Sequence, residues 1–207
     1  MKLAVVVAVG SYTAEDLEHK KRSLCTVLRP DTSLDMFVAD SGVPYVESSL
    51  ELYLSEVAVA RKVVEVAGMG YDAVVGTAFL DNGLDAAREL VEIPVVGPAK
   101  TTLYMAATLA HKFGVITAAG DLPRHIRALA KLLGVADRVV GIATLTCTVA
   151  DFLHDEANTL AMLIAMGRHL MEDQGAEAVV LGCGATTGLA PRIARTLGIP
   201  VLDPGLT

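Results

Sequence analysis

Of the three cysteines in this sequence, Cys25, Cys147 and Cys183, one stands where chemistry is expected. Cys183 lies in Leu-Gly-Cys-Gly-Ala-Thr-Thr-Gly, directly after an apolar run and ahead of a helical pattern. Open α/β sheets bind ligands beyond the carboxyl ends of their strands. A thiol in such a turn, at a helix N-terminus, feels the positive end of the helix dipole, and its pKa is expected to fall below the free value of about 8.5. The flanking Gly182 and Gly184 let backbone N–H groups come close to an anion. Gly184 and Ala185 are therefore expected to hold a carboxylate or a developing enolate. Cys25 and Cys147 lack such surroundings and read as small buried hydrophobes.

A second turn has the same layout. Gly76, Thr77 and Ala78 follow an apolar run, with Asp81 and Asn82 read as helix N-caps. Thr77 offers a hydroxyl, and the N–H groups after it offer an anion site. Elsewhere Ser11 or Thr13 reads as the cap of the first helix, with Ser11 also a candidate substrate contact. Glu47 and Ser48 precede the second helix and read first as a capping group. In Gly97-Pro98-Ala99-Lys100-Thr101-Thr102 the threonines cap a helix or bind an anion. Thr117 closes another strand.

The elements that must position these residues follow from the hydrophobic pattern. Strands are expected at Leu3–Val9, Leu34–Ala39, Ala73–Gly76, Val95–Val96, Phe113–Thr117, Val139–Ile142, Ala178–Leu181 and Val201–Leu202. Helices are expected near Ala14–Val27, Ser48–Ala67, Leu84–Val91, Thr101–His111, Leu122–Leu133, His154–Gln174 and Leu189–Leu197. Strand–helix alternation at this spacing implies βαβ units and mostly parallel sheets. Glu-Ile-Pro and Gly-Ile-Pro mark helix exits, because the residue before a proline is pushed to extended geometry.

One internal repeat organises the chain. Residues 72–98 read DAVVGTAFLDNGLDAARELVEIPVVGP, and residues 177–204 read EAVVLGCGATTGLAPRIARTLGIPVLDP. Anchoring Gly83-Leu84 on Gly188-Leu189 sets Ala78 opposite Cys183. The period is about half the chain, far beyond a solenoid repeat. It implies two pseudo-symmetric, flavodoxin-like α/β lobes with a cleft between them. The expected boundaries are 1–98 plus 199–207 for the first lobe and 99–198 for the second, with the last strand returning to the first lobe.

Composition excludes several classes. The 207 residues are 53% hydrophobic with a mean hydropathy of +0.50, which suits buried parallel strands. No apolar run approaches the roughly 20 residues of a membrane span, and the first run lacks the flanks of a signal peptide. The net charge is −7 without a basic cluster beyond Lys20-Lys21-Arg22, which argues against nucleic acid. The cysteines form no disulfide framework or CxxC pair, and the five histidines show no metal-ligand spacing. A cytoplasmic enzyme with reduced thiols and no metal is the expectation.

Several motifs together resemble a known family. Asp81-Asn82-Gly83-Leu84-Asp85-Ala86-Ala87-Arg88-Glu89-Leu90, Ile93-Pro94-Val95-Val96-Gly97 and His111-Lys112-Phe113-Gly114-Val115-Ile116-Thr117 are similar to hydantoin and allantoin racemases of the aspartate/glutamate/hydantoin racemase superfamily. So are Leu181-Gly182-Cys183 with Gly188-Leu189-Ala190, and Val43-Pro44-Tyr45-Val46-Glu47-Ser48. The resemblance spans roughly residues 43–204. It implies a cofactor-independent racemase or epimerase that moves the Cα proton of a small carbon acid, hydantoin-like or carboxylate, through Cys183. It also implies substrate contacts from Ser11, Glu47, Ser48, Gly76, Thr77, Ala78, Thr117, Gly184 and Ala185.

The sequence departs from the family at two places. Family racemases carry a second cysteine, and its place falls on Ala78. The Asn-rich loop after the first strand is replaced by Ala8-Val9-Gly10-Ser11-Tyr12-Thr13. Arylmalonate decarboxylase, in the same superfamily, also keeps only the second cysteine, and its Gly-Thr-Ser looks like Gly76-Thr77-Ala78. Decarboxylation, with Cys183 donating one proton, is therefore the alternative, and a non-catalytic binding homologue is a third reading. The abundance of apolar helix surface also implies a homo-oligomer.

Overall fold

The computed structural model describes residues 1–118, 120–145, 149 and 155–207. Cys147 lies outside the described residues. The chain divides into two compact units, Met1–Pro98 and Ala99–Thr207.

The first unit is built on four parallel strands, β1 (Lys2–Val7), β2 (Ser33–Val38), β3 (Ala73–Gly76) and β4 (Val95–Val96), in the order β2-β1-β3-β4. β1 sits between two neighbours, and Leu3 to Val7 are all buried. A strand covered on both faces reads as a continuous apolar run rather than an alternation. The crossovers contain α1 (Ala14–Cys25), α2 (Ser49–Ala67) and α3 (Leu84–Arg88).

Helix starts in this unit are set by local chemistry. Thr13 caps α1 in a reciprocal box with Asp16: the Asp16 N–H donates to Thr13 Oγ1 at 3.2 Å, and the Thr13 N–H donates to Asp16 Oδ2 at 2.8 Å. Ser48 and Glu51 form the same box on α2. The capping box satisfies amides that the first helical turn leaves without partners. Val59, Val63 and Val66 point inward from α2 and meet Ala4, Val6, Val74, Leu84, Ala87 and Val95 in one core.

The second unit repeats this plan. α4 (Pro98–Leu109) leads into β5 (Phe113–Thr117), α5 (Leu122–Leu132), β6 (Val139–Thr144), α6 (Glu156–Glu172), β7 (Ala178–Leu181), α7 (Ala190–Leu197) and β8 (Val201–Leu202). All four strands are parallel, in the order β6-β5-β7-β8. Each sheet thus places its strands in the same relative order. Phe113, Ile116, Leu163, Leu170, Leu181 and Ile193 are fully buried in this unit. Gly167 lets α6 and α7 approach, since a Cβ there would lie 2.5 Å from Leu197 Cδ1.

The architecture is the expected α/β plan, and the structure differs in four details. β8 does not return to the first unit. It pairs with β7 through Val179↔Val201 and Val180↔Leu202, as β4 pairs with β3. The reason is local: the helix between β7 and β8 is short, so the next strand falls beside the one just left. Cys25 is exposed in the last turn of α1, while Leu24 beside it is buried. Asp81 and Asn82 do not cap α3; its N-cap is Gly83, in left-handed geometry and without a side-chain cap. α4 begins at Pro98, so Thr101 and Thr102 lie inside the helix rather than ahead of it.

Candidate functional site

In the second unit the site is built at the carboxyl ends of β5 and β7. Ile116 pairs with Leu181, so Thr117 and Gly182 follow as neighbours. The Gly182 N–H donates to Ile116 O at 2.6 Å, and Thr117 Oγ1 donates to Gly182 O at 3.2 Å. Only glycine fits at position 182: a Cβ would lie 2.9 Å from Ile116 O and 2.9 Å from Val115 Cγ1. Glycine in a strand commonly marks such close backbone approach.

Cys183 continues the strand by one residue, with φ −147° and ψ 128°. It is 8% exposed and not in a disulfide. A single 3-10 turn, Gly184–Thr186, follows it. Thr186 closes this turn by donating its N–H at 3.2 Å and its Oγ1 at 2.7 Å to Cys183 O. Thr187 Oγ1 donates to Gly184 O at 2.9 Å. Gly184 and Ala185 are half-buried. The α-helix behind this turn starts only at Ala190. The positive end nearest Cys183 is therefore that of one short turn, not of the longer helix expected from the sequence.

Sequence reasoning missed Asp203. It is buried, and its carboxylate accepts the Gly188 N–H at 2.6 Å and the Gly205 N–H at 2.9 Å. Its carbonyl accepts from Leu206 N, Thr207 N and Thr207 Oγ1. Asp203 thereby ties the end of the Cys183 turn to the turn after β8. Hydrogen bonds to a charged acceptor are roughly twice as strong as neutral ones. The available signal was an acidic residue directly after a strand, beside Pro204, at the end of the repeat.

In the first unit Gly76, Thr77 and Ala78 follow β3, and Ser11 follows β1 on the adjacent strand. Thr77 and Ala78 are half-buried. Ser11 Oγ is buried and has no hydrogen-bond partner; Thr13, not Ser11, caps α1. The segment at 41–43 is held against the end of β1, with Ser41 Oγ donating to Ala8 O at 3.1 Å and the Gly10 N–H donating to Val43 O at 3.0 Å. Glu47 and Ser48 are placed by α2, because both their N–H groups donate to Glu51 Oε2 at 2.8 Å. Burial raises the Glu51 carboxyl, and the hydrogen bonds from Glu47 and Ser48 outweigh it, so its pKa is lowered overall.

The turn after β3 is stiff. Asp81 is buried with φ +56°, and it packs so closely on Gly97 that a Cβ there would lie 2.4 Å from Asp81 Cγ. Asn82 Nδ2 donates to Ser55 Oγ at 2.6 Å, and Ser55 Oγ donates to Leu52 O at 2.8 Å. Asn82 therefore anchors the turn to α2. Among the described residues no group of three or more His, Cys, Asp or Glu side chains is arranged to hold a metal ion. No helix among them is long and apolar enough to cross a membrane.

The two turns carry different chemistry. The turn after β7 presents a thiol between glycines, with Thr117 beside it. The turn after β3 presents a threonine hydroxyl and Ala78 at the place matching Cys183.

Comparison with known proteins completes the picture. The family model described as Asp/Glu/Hydantoin racemase matches residues 10–206. A hydantoin racemase of Pseudomonas sp. (strain NS671) is 33% identical over 187 residues, covering 90% of this chain and 74% of that protein. The crystal structure of allantoin racemase from Pseudomonas fluorescens aligns with a TM-score of 0.92 at 25% identity, covering 100% of this chain and 86% of that one. Arylmalonate decarboxylase shares the fold with a TM-score of 0.68 at 18% identity, covering 100% of this chain and 88% of that one.

Proposed function

This chain belongs to the Asp/Glu/hydantoin racemase family and is an enzyme of the racemase type; from that premise we propose that it inverts the Cα centre of a small hydantoin-like or carboxylate substrate without a cofactor, with Cys183 as an acid/base group. The observation that carries this reading is the placement of Cys183. It is the one titratable side chain in the turn at the carboxyl end of β7, buried, and flanked by glycine N–H groups.

The chemistry has a simple balance. The Cys183 thiolate takes the Cα proton, and the carbon's electron pair delocalises into the adjacent carbonyl as an enolate. The enolate is then protonated on one face or the other, and protonation on the opposite face inverts the centre. The enolate is the species to stabilise, and donors fixed in advance of the reaction do this best. The N–H groups of Gly184 and Ala185 are the proposed donors, with Thr117, Thr77 and Ser11 as further proposed substrate contacts. Gly76, Thr77, Ala78, Glu47 and Ser48 are the proposed substrate contacts of the first unit. The other face is served by Thr77, Asp81 or a water, since Ala78 carries no acid/base group. A cytoplasmic location and a homo-oligomeric state belong to the same proposal.

The absent thiol at position 78 favours one alternative. Loss of CO2 from a malonate-type acid generates the carbanion by itself, and a single proton donor then suffices. The two readings separate in D2O. Racemase chemistry predicts loss of optical activity of a 5-substituted hydantoin, with deuterium at Cα and no CO2. Decarboxylation predicts CO2 release from an arylmalonate and no exchange into the hydantoin. If neither occurs while both ligands bind, the racemase assignment fails and the chain is a binding homologue.

A further inference from the structure

The turn that carries Cys183 and the matching turn of the first unit share one backbone pattern. In the second unit the Thr186 N–H donates to Cys183 O at 3.2 Å and the Leu189 N–H to Thr186 O at 3.1 Å. In the first unit the Asp81 N–H donates to Ala78 O at 3.0 Å and the Leu84 N–H to Asp81 O at 3.0 Å. Gly83 and Gly188 close the two turns with positive φ. What differs is the pair of side chains just ahead of that glycine. In the first unit Asp81 packs on Gly97, and Asn82 reaches Ser55. In the second unit the pair is Thr186 and Thr187, and both hydroxyls fold back onto the turn itself. The turn therefore forms without such hydroxyls, and their presence beside the thiol calls for a reason other than folding.

Peptide geometry supplies one. A trans peptide is planar, so its C=O and N–H point in opposite directions. Thr186 Oγ1 donates to Cys183 O at 2.7 Å, which fixes the plane whose other end is the Gly184 N–H. Thr187 Oγ1 donates to Gly184 O at 2.9 Å, which fixes the plane whose other end is the Ala185 N–H. Gly184 is the first residue of the 3-10 turn, and successive peptide dipoles line up in a helical turn. The two N–H groups therefore face the same way.

Thr187 is held in turn by the segment after β8. Gly205 sits so close that a Cβ there would lie 2.7 Å from both Cγ2 and Oγ1 of Thr187. Buried Asp203 accepts the Gly188 N–H at 2.6 Å on Oδ2 and the Gly205 N–H at 2.9 Å on Oδ1. One side chain thus clamps the residue after Thr187 and the residue packed on Thr187. An ionised carboxylate can accept on both of its terminal atoms, whereas an amide can accept on only one.

We propose that Thr186, Thr187 and Asp203 are positioning residues for the reaction: the hydroxyls aim the Gly184 and Ala185 N–H groups at the anion that forms on the substrate, and Asp203 with Gly205 keeps Thr187 in place to do so, a role that rests on the racemase reading only for the identity of that anion.

The test uses the full chain in two assays, with circular dichroism to show that each variant is folded. The first is deuterium exchange into a 5-substituted hydantoin. Thr187→Val removes the hydroxyl at nearly constant shape. Its kcat is expected to fall by about 10- to 100-fold with KM within about threefold, because a mis-aimed donor is missed most in the transition state. Thr187→Ser keeps the hydroxyl and is expected to restore kcat to within about threefold of wild type. Gly205→Ala is expected to match Thr187→Val, and to add nothing in a Thr187→Ala background, where the atoms its Cβ would strike are gone. Asp203→Asn, left with one acceptor and one donor, is expected to lose kcat in the same way. The second assay is amide NMR with phenylacetate as the anion probe. The Gly184 and Ala185 resonances are expected to move on titration, and Thr187→Val to weaken phenylacetate binding by about tenfold. A wild type that does not exchange the hydantoin while these amides respond overturns the racemase reading, and the phenylacetate affinities then decide the positioning role. Unchanged kcat and phenylacetate affinity in Thr187→Val, or equal losses in Thr187→Val and Thr187→Ser, overturn the proposal. Amides of Gly184 and Ala185 that respond to neither phenylacetate nor the hydantoin overturn it as well.

Discussion

Gly83 and Gly188 occupy matching places in the repeat, and both have positive φ, +69° and +96°. Their surroundings differ. A Cβ on Gly83 would lie 2.1 Å from Glu56 O, 2.9 Å from Glu56 C and 3.0 Å from Glu56 Cα, all backbone of α2. A Cβ on Gly188 meets nothing within 4 Å. Alanine at either site bears the left-handed strain of an L-residue, roughly 1–2 kcal/mol. At Gly83 the steric conflict with a helix backbone that cannot rotate away adds roughly 1–3 kcal/mol. Gly188→Ala should therefore cost about 1–2 kcal/mol and Gly83→Ala about 2–5 kcal/mol. For a chain of this size roughly 2–4 °C of melting temperature corresponds to each kcal/mol, so the expected losses are about 2–8 °C and 4–20 °C. Thermal melts followed by circular dichroism at one scan rate, on the two variants and the wild type, measure the contrast. Equal losses in the two variants would refute the reasoning, because the shared strain would then be the whole effect and the contact between α2 and the α3 turn would count for nothing.

Three further predictions concern the site and its supports. Gly182→Ala forces a Cβ to 2.9 Å from Ile116 O and displaces the strand end that carries Cys183. Turnover should fall by about 100-fold, the scale of a 1 Å misplacement, while the fold persists; unimpaired turnover would show that the position of Cys183 is not needed. In alkylation followed by peptide mass spectrometry, exposed Cys25 should react with iodoacetamide regardless of ligand. A hydantoin or carboxylate should protect Cys183 alone, and Cys183→Ser, but not Cys25→Ser, should abolish turnover; full activity in Cys183→Ser would move the chemistry elsewhere. Glu51 has a folded pKa lowered from its ordinary 4.5, so its contribution is present above that value and is lost as pH falls through the folded pKa. The stability gap between wild type and Glu51→Gln should therefore hold at neutral pH and close as the pH falls below 4.5 through the lowered folded pKa, and a gap independent of pH would rule out the capping box as its source.

Local pattern alone determined most of the elements. Ala73–Gly76, Val95–Val96, Phe113–Thr117, Ala178–Leu181 and Val201–Leu202 have the bounds read from the sequence. Buried parallel strands are continuous apolar runs, and here they are stopped by Gly, Pro or a polar turn. The capping boxes of α1 and α2 depend on residues three apart, and the turn that carries Cys183 between two glycines directly after a strand was legible for the same local reason. Tertiary structure decided what depends on partners distant in the chain. The sheet that receives β8, the outward side of α1 that exposes Cys25, the Asn82–Ser55 bond and the grip of Asp203 on Gly188 all join residues 12 or more apart or depend on neighbours from other elements. Hydrophobic periodicity records which face of an element is buried. It does not record which backbone N–H a carboxylate will find, because that is set by the distance of closest approach between elements once the core has packed.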